Sequence, residues 1–211
     1  MVRNALSPHT TCIFLLCIFG GCKPDSLEPA DYVRYIRDVD NGFIERQDQP
    51  GLFLEAFYQP AEYVALMEVS QKNLDDTLFK ASIAGNSTFY RFILSIGSVS
   101  SMPIDEALQK VNSSDVPFDT RKQRMLYQLQ NRFCLLAGGD SLPCVFYHAQ
   151  PSGKINNAYQ FILAFESDSS TIVSDRNKDL KLVYLDSLWC NKRFEFVFDR
   201  NKINQSPRLK L

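Results

Sequence analysis

Alternation of apolar and polar positions is clearest from Thr88 to Ile96. There Tyr90, Phe92, Leu94 and Ile96 alternate with Phe89, Arg91, Ile93 and Ser95. A period of two puts the two sets on opposite faces of a strand. The run Phe161-Ile-Leu-Ala-Phe165 is apolar on both faces and is expected to lie centrally in a sheet. From Phe133 onward the chain reads as a meander, with strands at 133–137, 142–149, 159–166, 180–186 and 193–199. Turn chemistry separates them at 150–154, 167–170 and 175–179. In the last strand Phe194, Phe196 and Phe198 alternate with Glu195, Val197 and Asp199, which gives it one wet face.

Helical spacing appears between these runs. Pro29 and nearby acids open a helix whose stripe is Tyr32, Ile36 and Val39, and Asp40-Asn41-Gly42 stops it. Strands at 43–46 and 51–58 flank a polar turn at 47–50. Pro60 then starts a helix carrying Tyr63, Leu66 and Met67. Residues 71–87 are polar and poorly patterned, and read as a loop with a helical turn. Ser100-Ser101-Met102-Pro103 opens another helix, with Asp105 and Glu106 in its first turn and Ile104, Leu108 and Val111 on one face. Between 120 and 130 periodicity does not choose between helix and polar strand. The expected class is α+β: a single domain over 29–203, with one mostly antiparallel sheet and a few short helices packed on one side. Residues 204–211 are expected to form a loose tail.

The start of the chain changes the picture. Arg3 and the α-amine precede an apolar run, Thr11 to Phe19, followed by Gly20-Gly21-Cys22. The run is well short of the ~20 residues a spanning helix needs. This segment resembles the lipobox of bacterial lipoproteins, although Phe19 stands where an aliphatic residue is commoner. The resemblance implies cleavage before Cys22 and diacylglycerol and N-acyl chains on it. The expected location is the bacterial cell envelope, membrane-anchored and facing the periplasm or the cell surface. Residues 22–28 would be the tether.

Of 211 residues, removal of the first 21 leaves 190, enough for a domain with a real core. It takes away one arginine and no acid, so 22 basic and 24 acidic side chains remain, a formal charge of −2. Near-neutrality argues against a nucleic-acid partner.

Three cysteines then follow Cys22: Cys134, Cys144 and Cys190. The segment from Cys134 to Cys144 reads as a hairpin turning at Gly138-Gly139-Asp140. A three-residue loop centred on Gly139 would set the two cysteines opposite each other, so a cross-strand disulfide is one reading. The other is two small buried apolar side chains.

Candidate chemistry is sparse. His148 is the histidine that remains after cleavage, at a strand end where it would be a general base, a ligand or a hydrogen-bonded structural residue. No Gly-x-Ser-x-Gly elbow, two-histidine zinc motif or phosphate loop is present. Neither a cofactor nor a metal site is expected. Glu166 and Asp168 are a carboxylate pair of the kind glycosidases use. Arg121-Lys-Gln-Arg124 is a small basic cluster, read as a solvated face or a contact for anionic headgroups or polysaccharide.

The runs Tyr32 to Gly42, Phe57 to Glu68 and Leu142 to His148, followed by Phe161 to Phe165, resemble uncharacterised lipoproteins of Bacteroidetes. That likeness implies a location and no activity. In that phylum Asp-Ser/Thr followed by an aliphatic residue resembles an O-glycosylation acceptor, and Asp25, Asp76, Asp140 and Asp186 each begin such a triplet. Two functions stay open. One is a non-enzymatic envelope binding or assembly module with a protein or glycan partner. The other is a carboxylate-dependent envelope hydrolase acting on glycans.

Overall fold

The structure, a computed structural model, describes residues 25–69, 76–111, 115–150, 157–167 and 178–210. The leader, the lipidation candidate Cys22 and Asp168 lie outside the described residues.

Among the described residues ten strands run in chain order: β1 Ser26–Leu27, β2 Ile44–Gln49, β3 Leu52–Gln59, β4 Phe89–Ser98, β5 Phe133–Ala137, β6 Asp140–Gln150, β7 Ala158–Glu166, β8 Leu180–Leu185, β9 Arg193–Phe198 and β10 Arg208–Leu209. The described α-helices are α1 Pro29–Arg37, α2 Ala61–Glu68, α3 Asp76–Asn86, α4 Ile104–Val111, α5 Phe118–Tyr127 and α6 Arg200–Asn204. Eight strands form one antiparallel sheet in the order β2-β3-β4-β7-β6-β5-β8-β9. Its outer strands come back together. The Gln47 amide donates to the Glu195 carbonyl, and Lys192 Nζ donates to Gln49 Oε1 at 2.8 Å. The sheet therefore curls almost into a barrel, and the class is α+β as the alternation requires.

β7 sits between β4 and β6, with Phe161, Leu163 and Phe165 buried on one face and Ile162 and Ala164 half-buried on the other. Leu163, Phe92, Phe196 and Phe198 are buried inside the curl. Five rings cross neighbouring strands as a stacked row: Phe161, Tyr147, Phe133, Tyr184 and Phe194. Successive centroids lie 4.7 to 6.0 Å apart, with interplanar angles of 15° to 23°. Such cross-strand aromatic pairs fix register as well as adding contact area. At Gly97 a Cβ would come within 2.3 Å of the Phe53 ring, so the missing side chain lets β3 and β4 approach there.

The helices gather at the two ends of β4. Towards Phe89, α1, α2 and α3 build a second core of Tyr32, Ile36, Phe43, Tyr63, Leu66 and Phe79. Tyr32 and Ile36 are four apart on α1, the spacing that makes one helix face. Towards Ser98, α4 and α5 plug the curl with Ala107, Leu108 and Met125.

Three expectations need correction, and one open choice is decided. Residues 76–86 of the expected loop are helix α3, whose Phe79 is fully buried while the surrounding side chains are mostly exposed. Phe79 and the half-buried Ile83, four residues on, are the two side chains of α3 that pack on the second core, too few for a clear periodic signal. The ambiguous 120–130 stretch is mostly α5, which buries Arg121 and Met125, a charged and an apolar residue. The tether and tail are not both loose. Ser26 pairs with Arg208 and Leu27 with Leu209 in a parallel ladder. Leu27 and Leu209 pack on the second core, and Lys210 Nζ meets Glu28 Oε1 at 2.7 Å.

The third correction is the hairpin. Ala137 pairs with Asp140, so its loop is two residues, Gly138 and Gly139, with φ of 66° and 117°. Both are left-handed values that glycine adopts without strain. Cys134 therefore opposes Pro143. A slip of one residue sends side chains to opposite faces. Cys144 is buried on the inner face, Cys134 is half-buried on the outer one, and both thiols are free.

Candidate functional site

A groove of about 1110 Å³ opens at the Ser98 end of β4. Its walls come from α4, α5, the C-terminal part of β6 and the start of β7. Asn157, just before β7, adopts φ 47° and uses its carboxamide as a clamp. Its Oδ1 accepts from the Ile104 amide at 2.7 Å, and its Nδ2 donates to the carbonyls of Met102 at 2.5 Å and Ser100 at 3.3 Å. The first turn of α4 is thereby tied to the sheet, and one of its orphan amides is satisfied.

That clamp sets the next residue, Asp105, against two partners from other elements. Lys122 Nζ of α5 meets Asp105 Oδ2 at 2.7 Å. The Tyr159 hydroxyl of β7 donates to Asp105 Oδ1. Lys122 also lies over the Tyr159 ring, 5.4 Å from its centroid. Partial burial pushes the Asp105 carboxyl up, but the hydrogen bonds from Lys122 and Tyr159 outweigh it and hold the group below the usual carboxylate range. Burial pulls Lys122 down, and the bonds to Asp105 and Tyr159 reverse that and raise it. Burial and the Asp105 hydrogen bond raise Tyr159. The trio is thus an ion pair with a neutral phenol at ordinary pH. Its carboxylate is anionic and engaged, the wrong state for a general acid. Apolar side chains, Ile104, Leu126, Ala149 and Ala158, make up much of the remaining wall.

His148 lines the same groove, and its ring lies 6.3 Å from that of Phe146. Its orientation follows from a bulge. Cys144 pairs with Phe165, but Phe146 pairs with Ala164, so Val145 is an extra residue in β6. An extra residue reverses which parity faces inward. Before the bulge Leu142 and Cys144 face the core, and after it Tyr147 and Ala149 do. His148 is therefore turned outward and exposed, and the inner-facing Tyr147 donates its hydroxyl to the Met125 carbonyl of α5.

The other sequence candidates are not gathered here. Glu166 is exposed and pairs with Phe89 at the far end of β4. Cys134 lies on the outer face of β5. Burial pushes the thiols of Cys144 and Cys190 up to about 11, which keeps them as neutral thiols rather than nucleophilic thiolates. The basic cluster is divided. Arg121 is buried, donates to the carbonyls of Val116 and Leu188 at 3.1 Å, and lies 4.6 Å from the Trp189 ring centre. Lys122 belongs to the groove, and Arg124 is exposed. Among the described residues no three His, Cys, Asp or Glu side chains are grouped to hold a metal. No described helix is long and apolar enough to cross a membrane.

Asp105, Lys122, Asn157 and Tyr159 carry the groove, and the sequence did not single them out for it. Asp105 is 17 residues from Lys122 and 54 from Tyr159, and Asn157 reaches back 55 residues to Met102, so no local motif joins them. A second cavity, of about 600 Å³, lies at the opposite end of β4. Phe89, Tyr90, Arg200 and the segment Ser206 to Leu209 are among its lining residues.

No protein-family model matches this chain, and no curated protein does. Among solved structures, a novel protein of unknown function from Burkholderia pseudomallei K96243 is similar over 84% of this chain and 92% of that one. Identity is 9% and the TM-score is 0.37, a likeness too slight to carry any argument about function.

Proposed function

We propose that this chain is a lipid-anchored, non-enzymatic binding module of the bacterial cell envelope, with the groove at the Ser98 end of β4 as its binding site. The observation that carries this reading is the groove's placement. The segment that leads back to Cys22 is paired with β10 near Tyr90, and the groove begins at Ser98. Eight residues of strand rise separate the two ends, about 27 Å at about 3.4 Å per residue. A module tethered at Cys22 would hold its groove away from the bilayer, towards a partner in the envelope. The chemistry of the walls supports binding over turnover. Glycoside hydrolysis needs two carboxyl groups flanking a sugar ring. Among the described lining residues, Asp105 supplies the one carboxylate, and Lys122 and Tyr159 already occupy it.

The test is site-specific photo-crosslinking in native membranes. A crosslinking residue in place of Tyr127, which is 76% exposed at the groove rim, should capture an envelope component. The same residue in place of Val39, exposed beyond α1, should not. Cys22→Ser should move the protein to the soluble fraction and abolish the capture. Equal capture from both positions, or membrane retention of Cys22→Ser, would count against the module. Release of reducing ends from purified envelope glycan would bring the hydrolase back.

A further inference from the structure

The groove's wall contains an unpaired strand edge. β6 runs from Asp140 to Gln150, but β5 pairs with it only as far as Pro143. From Phe146 to Gln150 the strand pairs with β7 on one side and, among the described residues, with no strand on the other. No backbone hydrogen bond from a described turn or loop reaches this stretch, whose one side-chain bond to the main chain is from the Cys144 thiol to the Phe146 carbonyl at 3.0 Å. Nor is it covered: Val145 is 43% exposed, Phe146 50%, and His148 is exposed. Leu126 and Tyr127 of α5 line the groove together with His148, Ala149 and Gln150 of this stretch.

We infer that this edge takes up an extended peptide segment of a partner protein, which adds to β6 as a further strand alongside the groove. The inference rests on the reading of the groove as a binding site and names its ligand class. A strand edge offers a row of main-chain donors and acceptors at fixed spacing, and a second polypeptide backbone is the chemistry that satisfies such a row. Five residues of edge span about 17 Å. The alternate side chains of an added strand would enter the groove against Ile104, Leu126 and Ala149, with Phe146 and His148 flanking the strand on the outer face. The segment it fits is therefore extended, apolar at every second position and free of proline at the bonding positions. The Val145 bulge matters here too. It ends the register shared with the hairpin and leaves a regular stretch beyond it.

The experiment uses the full chain from Cys22, isotope-labelled, and a displayed library of random ten-residue peptides. The tightest binder is resynthesised with N-methyl groups at one set of alternate residues or at the other. One set should lower affinity at least about tenfold, the cost of the lost main-chain bonds, and the other should change it little. Amide exchange at alternate residues from Phe146 to Gln150 should be fast in the free protein and slow in the complex. Equal affinity of the two methylated sets would overturn the proposal, as would slow exchange of the whole edge in the free protein. Binding of an oligosaccharide that shifts Tyr127 and Tyr159 but leaves the edge amides unprotected would refute the peptide and keep the module. If no ligand shifts either the groove or the edge, both readings fall.

Discussion

The two ends of β4 make unlike environments from the same strand. At the Phe89 end three helices cover the sheet, the first and last described strands pair as β1 and β10, and seven buried residues form a separate core. At the Ser98 end two helices stop short of closing the curl, and a groove remains between them and β6. The difference lies in what the polar groups are used for. At the first end they join segments distant in sequence, as Lys210 does with Glu28. At the second they hold one another in the wall of an opening, as Asp105 does with Lys122 and Tyr159. One end is built to be held and the other to stay accessible.

The sharpest way to break this comparison is to ask whether the ends are independent. Phe92 is fully buried on β4, with ring contacts to Tyr58, Phe165 and Phe198 that reach both cores. Phe92→Ala should cost about 3–5 kcal/mol, as a buried large-to-small change does. Amide exchange should show both ends opening together. Loss of protection at one end only would mean two separately stable units. A smaller effect should follow removal of residues 205–211, which takes away β10. Loss of the Leu209 contact and the short ladder should lower stability by about 1–2 kcal/mol in denaturant titration. The shifts of Asp105 and Tyr159 should stay in place, and movement there would show that the tail reaches the groove.

The smallest expected effect is electrostatic. The folded carboxyl of Asp105 titrates below its ordinary value, so it stabilises the fold above about pH 4. That contribution is lost as pH falls through the lower folded value. With its side chain 42% exposed, solvent screens the pair, and the loss should stay under about 1 kcal/mol. Asp105→Asn should flatten this part of the acid limb in a pH series of melting curves. An unchanged acid limb would mean that the groove trio contributes nothing measurable to the fold.

The strands were legible because alternation is a local signal. β4, β7 and β9 each carry their inner face as every second residue. α3 was not, since Phe79 and a half-buried Ile83 anchor its described, mostly exposed length, and α5 hid its buried face behind a charged Arg121. The hairpin at Gly138-Gly139 was located but its register missed by one, because the same glycines serve a two-residue or a three-residue loop. Residue type does not choose between them. His148 was correctly placed near a strand end, yet its neighbours in the groove come from α4, α5 and β7. Only the topology brings those together.

Asp186 shows a similar limit. It heads an Asp-Ser-Leu triplet, but its buried carboxylate accepts from the Tyr184 hydroxyl and from the amides of Leu188, Trp189 and Cys190. It anchors the loop that carries Trp189 beneath α5.

That loop gives the molecule an optical reporter of one end only. Trp189 is the single tryptophan of the chain, 5% exposed, with the Arg121 guanidinium over its ring and Phe118 beside it. Both of those neighbours belong to α5. Indole emission is sensitive to solvent and to a nearby cation, so its wavelength and yield will follow the seating of α5 against the sheet. The nine tyrosines are spread over both ends and will report the whole. Excitation wavelength alone therefore separates the groove wall from the rest of the protein, without any label.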